Sequence, residues 1–268
     1  MELSIVIVSY NAAADLERCL ASLHSPPPAV SFEVIVVDNA STDGSLERIK
    51  RWPHVRVIES GANRGFAAAN NIGIRASTGS LLLLLNSDTI VSPGAIDTLA
   101  RAIWGHPDVA IVGPRLVDGE GRAELSFGQM VSPLADLRQR RLMRGIERRD
   151  PGTRRHVEDL TRREQFPDWV SGACLLVCRA DAEAVGLIDE RYFMYLEDVD
   201  FCAAIRARGR RVLFTPAAEV VHLRGRSAAT APAPTSVMYR RSQMAFYEKH
   251  HPQYAPLLRL YQRFRWQI

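Results

Sequence analysis

The chain has 268 residues, 47% of them hydrophobic and 24% charged, with a formal net charge of +4 and a pI near 9.0. These are ordinary values for a soluble globular protein of one large or two small domains with a sizeable core. The amino terminus lacks the basic start of a signal peptide, and no stretch approaches the length of a membrane span.

Taken in order, Leu3 to Ser9 is a β-branched run that reads as a buried strand ending at Tyr10-Asn11. Ala12 to His24 has helical spacing, with Leu16, Cys19, Leu20 and Leu23 on one face, and three prolines stop it. Phe32 to Val37 is a second strand ending at Asp38-Asn39; Ser45 to Lys50 is a short helix and Val55 to Ile58 a third strand. An Ala-rich helix over Phe66 to Ser77 follows the loop Gly61 to Gly65. Leu81 to Leu85 is five leucines in a row. Side chains of a strand alternate between faces, so this run fits a strand buried on both, ending at Asn86-Ser87-Asp88. Pro93 to Trp104 is a helix and Val109 to Val112 another strand. The alternation predicts an α/β fold with a mostly parallel sheet flanked by helices.

The pattern breaks over Leu116 to Asp168, where periodicity is weak and ten arginines fall between Arg138 and Arg163. Trp169 to Cys178 reads as one apolar strand, Val199 to Ala207 as a helix opened by Glu197-Asp198, and Arg211 to Thr215 and Glu219 to His222 as short strands. Ser227 to Pro234 is Ala/Pro-rich and expected to be mobile. Ser236 to His250 reads as an amphipathic helix, and Arg259 to Ile268 mixes arginines with aromatics. Cys19, Cys174, Cys178 and Cys202 lack paired CxxC spacing and read as reduced thiols of a cytoplasmic protein.

The strand ends carry the chemistry, because ligands of open α/β sheets bind at the carboxyl edge. A carboxylate such as Asp38 can accept from the ring N3–H of uracil or thymine, and Arg64 can pair with a diphosphate. Taken alone, each of Asp38 and Asn63 reads as a turn residue rather than a ligand contact. The GxGxxG fingerprint is missing after the first strand, which disfavours a nicotinamide enzyme, and no P-loop sequence occurs.

The segments VSYN, VVDNASTDGS, NRGFAAANNIG, LLNSD, VSGACLLV and FMYLEDVDFCAAIRARG occur in this order. Together they strongly resemble the inverting GT-A glycosyltransferases of family 2, and in particular the rhamnosyltransferase-like branch that builds bacterial cell-surface polysaccharides. The resemblance covers roughly residues 1–250 and implies one GT-A domain. Residues 1–115 would form its nucleotide-sugar half and 116–250 its acceptor and catalytic half, with 251–268 a basic, aromatic tail. It implies a dTDP- or UDP-sugar donor held by Ser9, Tyr10, Asn11, Asp38, Asn63, Arg64, Asn86 and Ser87. It also implies a divalent metal, Mn2+ or Mg2+, on Asp88 and His222, although His222 reads equally as a packed or hydrogen-bonded histidine. Asn86 replaces the first acid of the family's DxD motif. Asp198 would be the catalytic base with Glu197 beside it, although both also suit the positive terminus of a helix. Trp169, Ser171, Gly172 and Ala173 would line the side of a glycan or lipid-linked acceptor.

The segment from Arg138 to Arg163 reads as a solvated surface or as a contact for anionic lipid headgroups or the diphosphate of a lipid-linked acceptor, and the arginine-aromatic tail likewise; such a contact would place the protein at the inner face of the cell membrane. No base-reading motif accompanies the arginines, so a nucleic-acid partner is not expected. An inactive nucleotide-binding relative and a nucleotidyltransferase are the alternative readings.

Overall fold

In the computed structural model, residues 1–223 and 235–266 are described. The Ser227–Pro234 segment lies outside them, as do the side chains of Arg265 and Trp266. The first half alternates as the sequence pattern predicts: β1 (Leu3–Ser9), α1 (Ala13–Leu23), β2 (Phe32–Asp38), α2 (Ser45–Ile49), β3 (Val55–Glu59), α3 (Gly65–Ala76) and β4 (Leu81–Asn86). Next come a short β5 (Thr89–Val91), α4 (Ala95–Gly105) and β6 (Val109–Val117). Helix α4 starts two residues after Pro93 because Gly94 sits at φ +75°, outside helical space.

The five leucines of β4 divide cleanly. Leu81, Leu83 and Leu85 join the core cluster packed with α1 and α4, whereas Leu82 and Leu84 join the cluster on the opposite face of the sheet. Each buried leucine contributes roughly 1.5–3 kcal/mol of hydrophobic stabilisation.

The weakly periodic stretch is not featureless. It holds β7 (Phe127–Gly128) and two helices, α5 (Pro133–Glu147) and α6 (Pro151–Leu160). Their start signals are local. Ser132 accepts the Ala135 N–H and Asp150 accepts the Thr153 N–H, each followed by a proline at the first helical position. Neither helix shows a strong apolar stripe, because α5 buries little surface and is rich in arginine.

The Trp169 to Cys178 run is two strands, β8 (Trp169–Val170) and β9 (Cys174–Cys178), parted by Ser171, Gly172 and Ala173. After α7 (Arg179–Ala184) and α8 (Glu197–Ala207), the two short strands expected over 211–222 are one strand, β10 (Arg211–His222), with a register shift between Thr215 and Glu219. Helices α9 (Thr235–His250) and α10 (Ala255–Trp266) close the described chain, so the terminal basic segment is largely helical. Its Ala255 and Leu258 pack with Phe246 and Tyr247 of α9.

The main sheet has eight strands in the order β3-β2-β1-β4-β9-β6-β10-β5. Strands β1 to β4 pair in parallel, as do β6 and β10, while β9 runs antiparallel between β4 and β6, and β5 antiparallel at the edge. An antiparallel β9 needs no helical crossover, and the excursion through α5 and α6 returns the chain in the opposite sense.

Helix α3 ties the two halves together. The buried Asn71 side chain donates to the Ile188 carbonyl at 2.8 Å and accepts the Ile188 N–H at 3.1 Å. At its start, the Phe66 N–H donates to the Phe193 carbonyl at 2.7 Å, and Gly65 sits at φ +81° with that same carbonyl oxygen 2.3 Å from where a Cβ would stand. Gly65→Ala therefore meets both a backbone penalty and a steric one. The expected loss is about 2 kcal/mol, or a fall in Tm of ~4–8 °C, read by calorimetry. An unchanged Tm would show that this contact carries no weight.

Candidate active site

A large cleft of roughly 1520 Å³ opens at the carboxyl edge of β1, β2 and β4 and continues past β8 to α5 and α6. Of the residues singled out from sequence, Tyr10, Asn63, Asn86, Ser87, Asp88, Trp169, Ser171, Gly172, Ala173, Glu197, Asp198 and His222 line it. Ser9, Asn11, Asp38 and Arg64 do not line it. Asn11, at φ 49°, accepts the Thr42 N–H and shapes the loop after β2. Arg64 donates from Nε to the Ser60 carbonyl. Asp38 is buried; its Oδ2 accepts the Ser41 N–H, while its Oδ1 has no hydrogen-bond partner among the described residues. Asn39, next to it, joins the loops: it donates to Asn63 Oδ1 and accepts from Ser60 Oγ and the Arg64 N–H.

Asp88 comes at the end of β4 and His222 at the end of β10. The imidazole Nε2 stands 3.4 Å from Asp88 Oδ1, and Nδ1 stands 3.2 Å from Glu124 Oε2. Burial opposes a charge on this imidazole, but the two carboxylates outweigh it and raise its pKa to about 9. Glu124 was not expected from sequence, because it lies in the aperiodic stretch with no motif around it. Its position explains the role of the histidine: a carboxylate on Nδ1 fixes the ring and directs Nε2 toward Asp88. Asp88 Oδ1 is buried and makes no hydrogen bond of normal geometry among the described residues. The imidazole would have to give up its Nε2 proton before that nitrogen could take a cation; Asp88 Oδ1 and Nε2 would then offer one oxygen and one nitrogen ligand, a set that suits manganese better than magnesium. Among the described residues, no group of three or more such side chains forms a ready-made metal cage.

Glu197 and Asp198 open α8 on an irregular backbone. Tyr195 and Leu196 both have positive φ, 71° and 65°, a conformation costing roughly 1–3 kcal/mol per residue that clusters at functional sites. The two carboxylates differ in partners. Asp198 accepts the Gly172 N–H on Oδ2 at 2.9 Å and the Val199 N–H on Oδ1 at 2.8 Å. Glu197 Oε2 is buried without a partner among the described residues. Burial raises both, but Glu197 also feels the Asp198 charge, whereas the two backbone donors hold Asp198 down. Burial and the neighbouring Asp198 charge thus favour the proton on Glu197 more than on Asp198, whose oxygens keep two backbone donors. Behind them, buried Asp200 fastens α8 to the end of α9: Lys249 Nζ lies 2.8 Å from it, His250 Nε2 2.6 Å and Tyr192 OH 3.2 Å.

With this geometry in hand, comparison with known proteins places the chain. A family model described as "Glycosyl transferase family 2" matches residues 4–159. An N-acetylglucosaminyl-diphospho-decaprenol L-rhamnosyltransferase of Mycobacterium tuberculosis is 33% identical, over 93% of this chain and 85% of the relative. The chain belongs to glycosyl transferase family 2. Two solved structures share the fold at low identity. One is a Pyrobaculum calidifontis mannosyltransferase in complex with GDP-mannose and Mn2+, with TM-score 0.64, 18% identity, and coverage of 98% of this chain and 69% of that one. The other is residues 1–349 of TarS from S. aureus with UDP-GlcNAc, with TM-score 0.62, 17% identity, and coverage of 91% and 65%.

The carboxylate pair carries a pH signature. A glutamate raised in the folded state binds a proton that the unfolded chain has released, so stability falls as pH climbs above the ordinary glutamate range. Glu197→Gln removes that term. In urea denaturation the variant should exceed the wild type near pH 8 and lose its advantage near pH 5. Equal stabilities at both pH values would mean that Glu197 ionises normally.

Proposed function

We propose that this glycosyltransferase moves a sugar, with inversion, from a dTDP- or UDP-sugar to a hydroxyl of a glycan or lipid-linked acceptor in cell-surface polysaccharide synthesis. The observation that carries the reading is the pair of neighbouring carboxylates, Asp198 held by the Gly172 and Val199 N–H groups and Glu197 with a buried Oε2 that has no partner among the described residues, at the wall of a cleft that also holds Asp88 and His222. Rhamnose is the first donor sugar to test, since the mycobacterial relative is named a rhamnosyltransferase.

Asp198 is the base. Each of its oxygens accepts one backbone hydrogen bond and retains a lone pair for the acceptor hydroxyl. The Gly172 N–H fixes where that lone pair points. Protonated Glu197 is able to donate to a sugar oxygen. Asp38, with its free Oδ1, faces the pyrimidine through a small movement of the loop after β2, and Tyr10, Asn63, Asn86 and Ser87 line the path of the donor. Asp88 and His222 would hold the divalent metal, whose chemistry is to neutralise the charge that develops on the departing diphosphate. The amide of Asn86, in place of an acid, removes one negative charge beside that diphosphate. Trp169, Ser171, Gly172 and Ala173 form the acceptor side.

Asp198→Asn should lower transfer from dTDP-rhamnose or another active donor by about three orders of magnitude or more, while dTDP binding in the presence of Mn2+ stays near the wild-type value. A panel of nucleotide-sugars in a transfer assay supplies the measurement. Near-normal turnover would remove Asp198 from the role of base. Release of pyrophosphate in place of a nucleoside diphosphate would instead favour a nucleotidyltransferase, and binding with no turnover an inactive relative.

A contact with the membrane surface belongs to the same reading. Among the described residues, no helix is long and apolar enough to cross a membrane. Helix α10 exposes Leu257, Leu260, Tyr261 and Phe264, spaced i, i+3, i+4, i+7, with Arg259 and Arg263 beside the stripe. Liposomes with anionic lipid should carry the protein upward in a flotation gradient at physiological salt, and Leu260→Asp with Phe264→Asp should abolish this. No flotation of the wild type would end the claim.

A further inference from the structure

Three pieces of backbone meet around His222. The residue is in register with Thr89 of β5, and the next N–H, of Leu223, donates to the Asp88 carbonyl at 2.8 Å. On its other side β10 runs beside β6 as far as Val221 and Val117. There β6 turns back on itself. Asp118 Oδ1 accepts the Glu120 and Arg122 N–H groups, Asp118 Oδ2 accepts Arg122 Nε at 2.7 Å, and the Glu124 N–H returns to the Leu116 carbonyl at 2.9 Å. This hairpin, whose turn is shaped by one aspartate, delivers the Glu124 side chain to the imidazole.

The two ring nitrogens face different groups. Nδ1 stands 3.2 Å from Glu124 Oε2, and Nε2 stands 3.4 Å from Asp88 Oδ1. Asp88 and His222 line the cleft, whereas Glu124 does not, so the ring relays Glu124 to the cleft. The side chains of Glu124, His222 and Asp88 are only 8%, 12% and 2% exposed, which leaves little water to compete for these contacts. A neutral imidazole carries hydrogen on one nitrogen and a lone pair on the other. A carboxylate only accepts. Glu124 therefore holds the hydrogen on Nδ1, and the lone pair falls on Nε2, on the side of Asp88. Without that contact the ring is free to turn about its Cβ–Cγ bond, and a half turn puts Cε1 where Nε2 stands.

We propose that Glu124 is a positioning residue for the divalent metal: by fixing the orientation and tautomer of His222 it sets the affinity of the Asp88–His222 pair for the cation, without touching the cation itself. The inference rests on the reading of that pair as the metal ligands. It adds to it a residue 98 positions from the histidine in the chain, carried on a hairpin outside every motif the sequence displays.

The test is direct binding of Mn2+, followed by the loss of the free-ion EPR signal with dTDP or UDP present, so it does not depend on turnover. Glu124→Ala should weaken Mn2+ binding about 10–100-fold. Glu124→Gln, whose side-chain carbonyl still accepts from Nδ1, should recover most of the affinity, which a loss of folding would not allow. Nucleotide binding without metal should be the same in all variants. His222→Ala should also bind Mn2+ weakly, and adding Glu124→Ala to it should cost nothing more, because Glu124 acts through the ring. Wild-type Mn2+ affinity in Glu124→Ala overturns the proposal. So does a further loss in the double variant, which would make Glu124 a ligand in its own right, or a parallel loss of metal-free nucleotide binding, which would make its role structural. If His222→Ala binds Mn2+ as the wild type does, or the wild type binds none, the reading of the metal ligands fails and the proposal with it. If His222→Ala loses the metal and Glu124→Ala keeps it, the proposal alone fails.

Discussion

The structure depends on a strand that water does not reach from either side. Five leucines of β4 alternate between two hydrophobic clusters, and β1 and β9 pair with its two edges. A slip of one residue would move every leucine to the other core, into space shaped for a different neighbour. The register of β4 is therefore fixed, and with it the point at which the chain leaves the sheet. That point is Asn86-Ser87-Asp88. The packing of the leucines before it carries the carboxylate of Asp88 to the cleft, where His222 Nε2 stands 3.4 Å from its Oδ1. The antiparallel neighbour β9 uses the same framework: the Asn86 N–H donates to the Ala173 carbonyl, and Gly172, one residue earlier, donates to Asp198. One sheet edge thus sets the separation between the prospective metal ligand and the prospective base.

Helix α8 cannot be placed by its own sequence, and three outside elements place it. From α3, Asn71 and Phe66 grip the backbone at Ile188 and Phe193. From β9, Gly172 holds Asp198 itself. From α9, Lys249 and His250 hold Asp200. Against these three fixings, two consecutive residues in left-handed conformation are tolerable, because the strain at Tyr195 and Leu196 is small beside the buried polar bonds around it. Local strain aims Glu197 and Asp198 into the cleft, and non-local contacts keep it there.

Much of this was legible from sequence where short-range rules decide. The Rossmann-like alternation, the double-faced burial of β4 and the polar strand ends that open on the cleft all follow from periodicity and turn chemistry. The ordered motifs added the family, which the matches to known relatives bear out. What sequence could not show was of two kinds. Helices α5 and α6 were hidden because their apolar stripes are weak; only the Ser132-Pro133 and Asp150-Pro151 capping pairs marked them. Glu124 was hidden because its importance is relational. It matters through its distance to His222, 98 positions away, and no spacing rule reaches that far. The two strands read within 211–222 became one because a register shift lets a strand pass an irregular point without ending.

The same distinction explains why the arginine segment resisted interpretation. By composition, ten arginines over 138–163 look like one basic surface. In the folded chain they separate by partner. Arg162 pairs with Glu158 on the surface, Arg144 and Arg148 do not line the cleft, and only part of the run meets it. Charge count sets a weak, screened attraction toward any anion. Which anion is recognised depends on the few guanidiniums left unpaired inside a wall that also presents apolar surface. On α5 those are Arg138 and Arg141, which share the cleft wall with Leu142 and Met143.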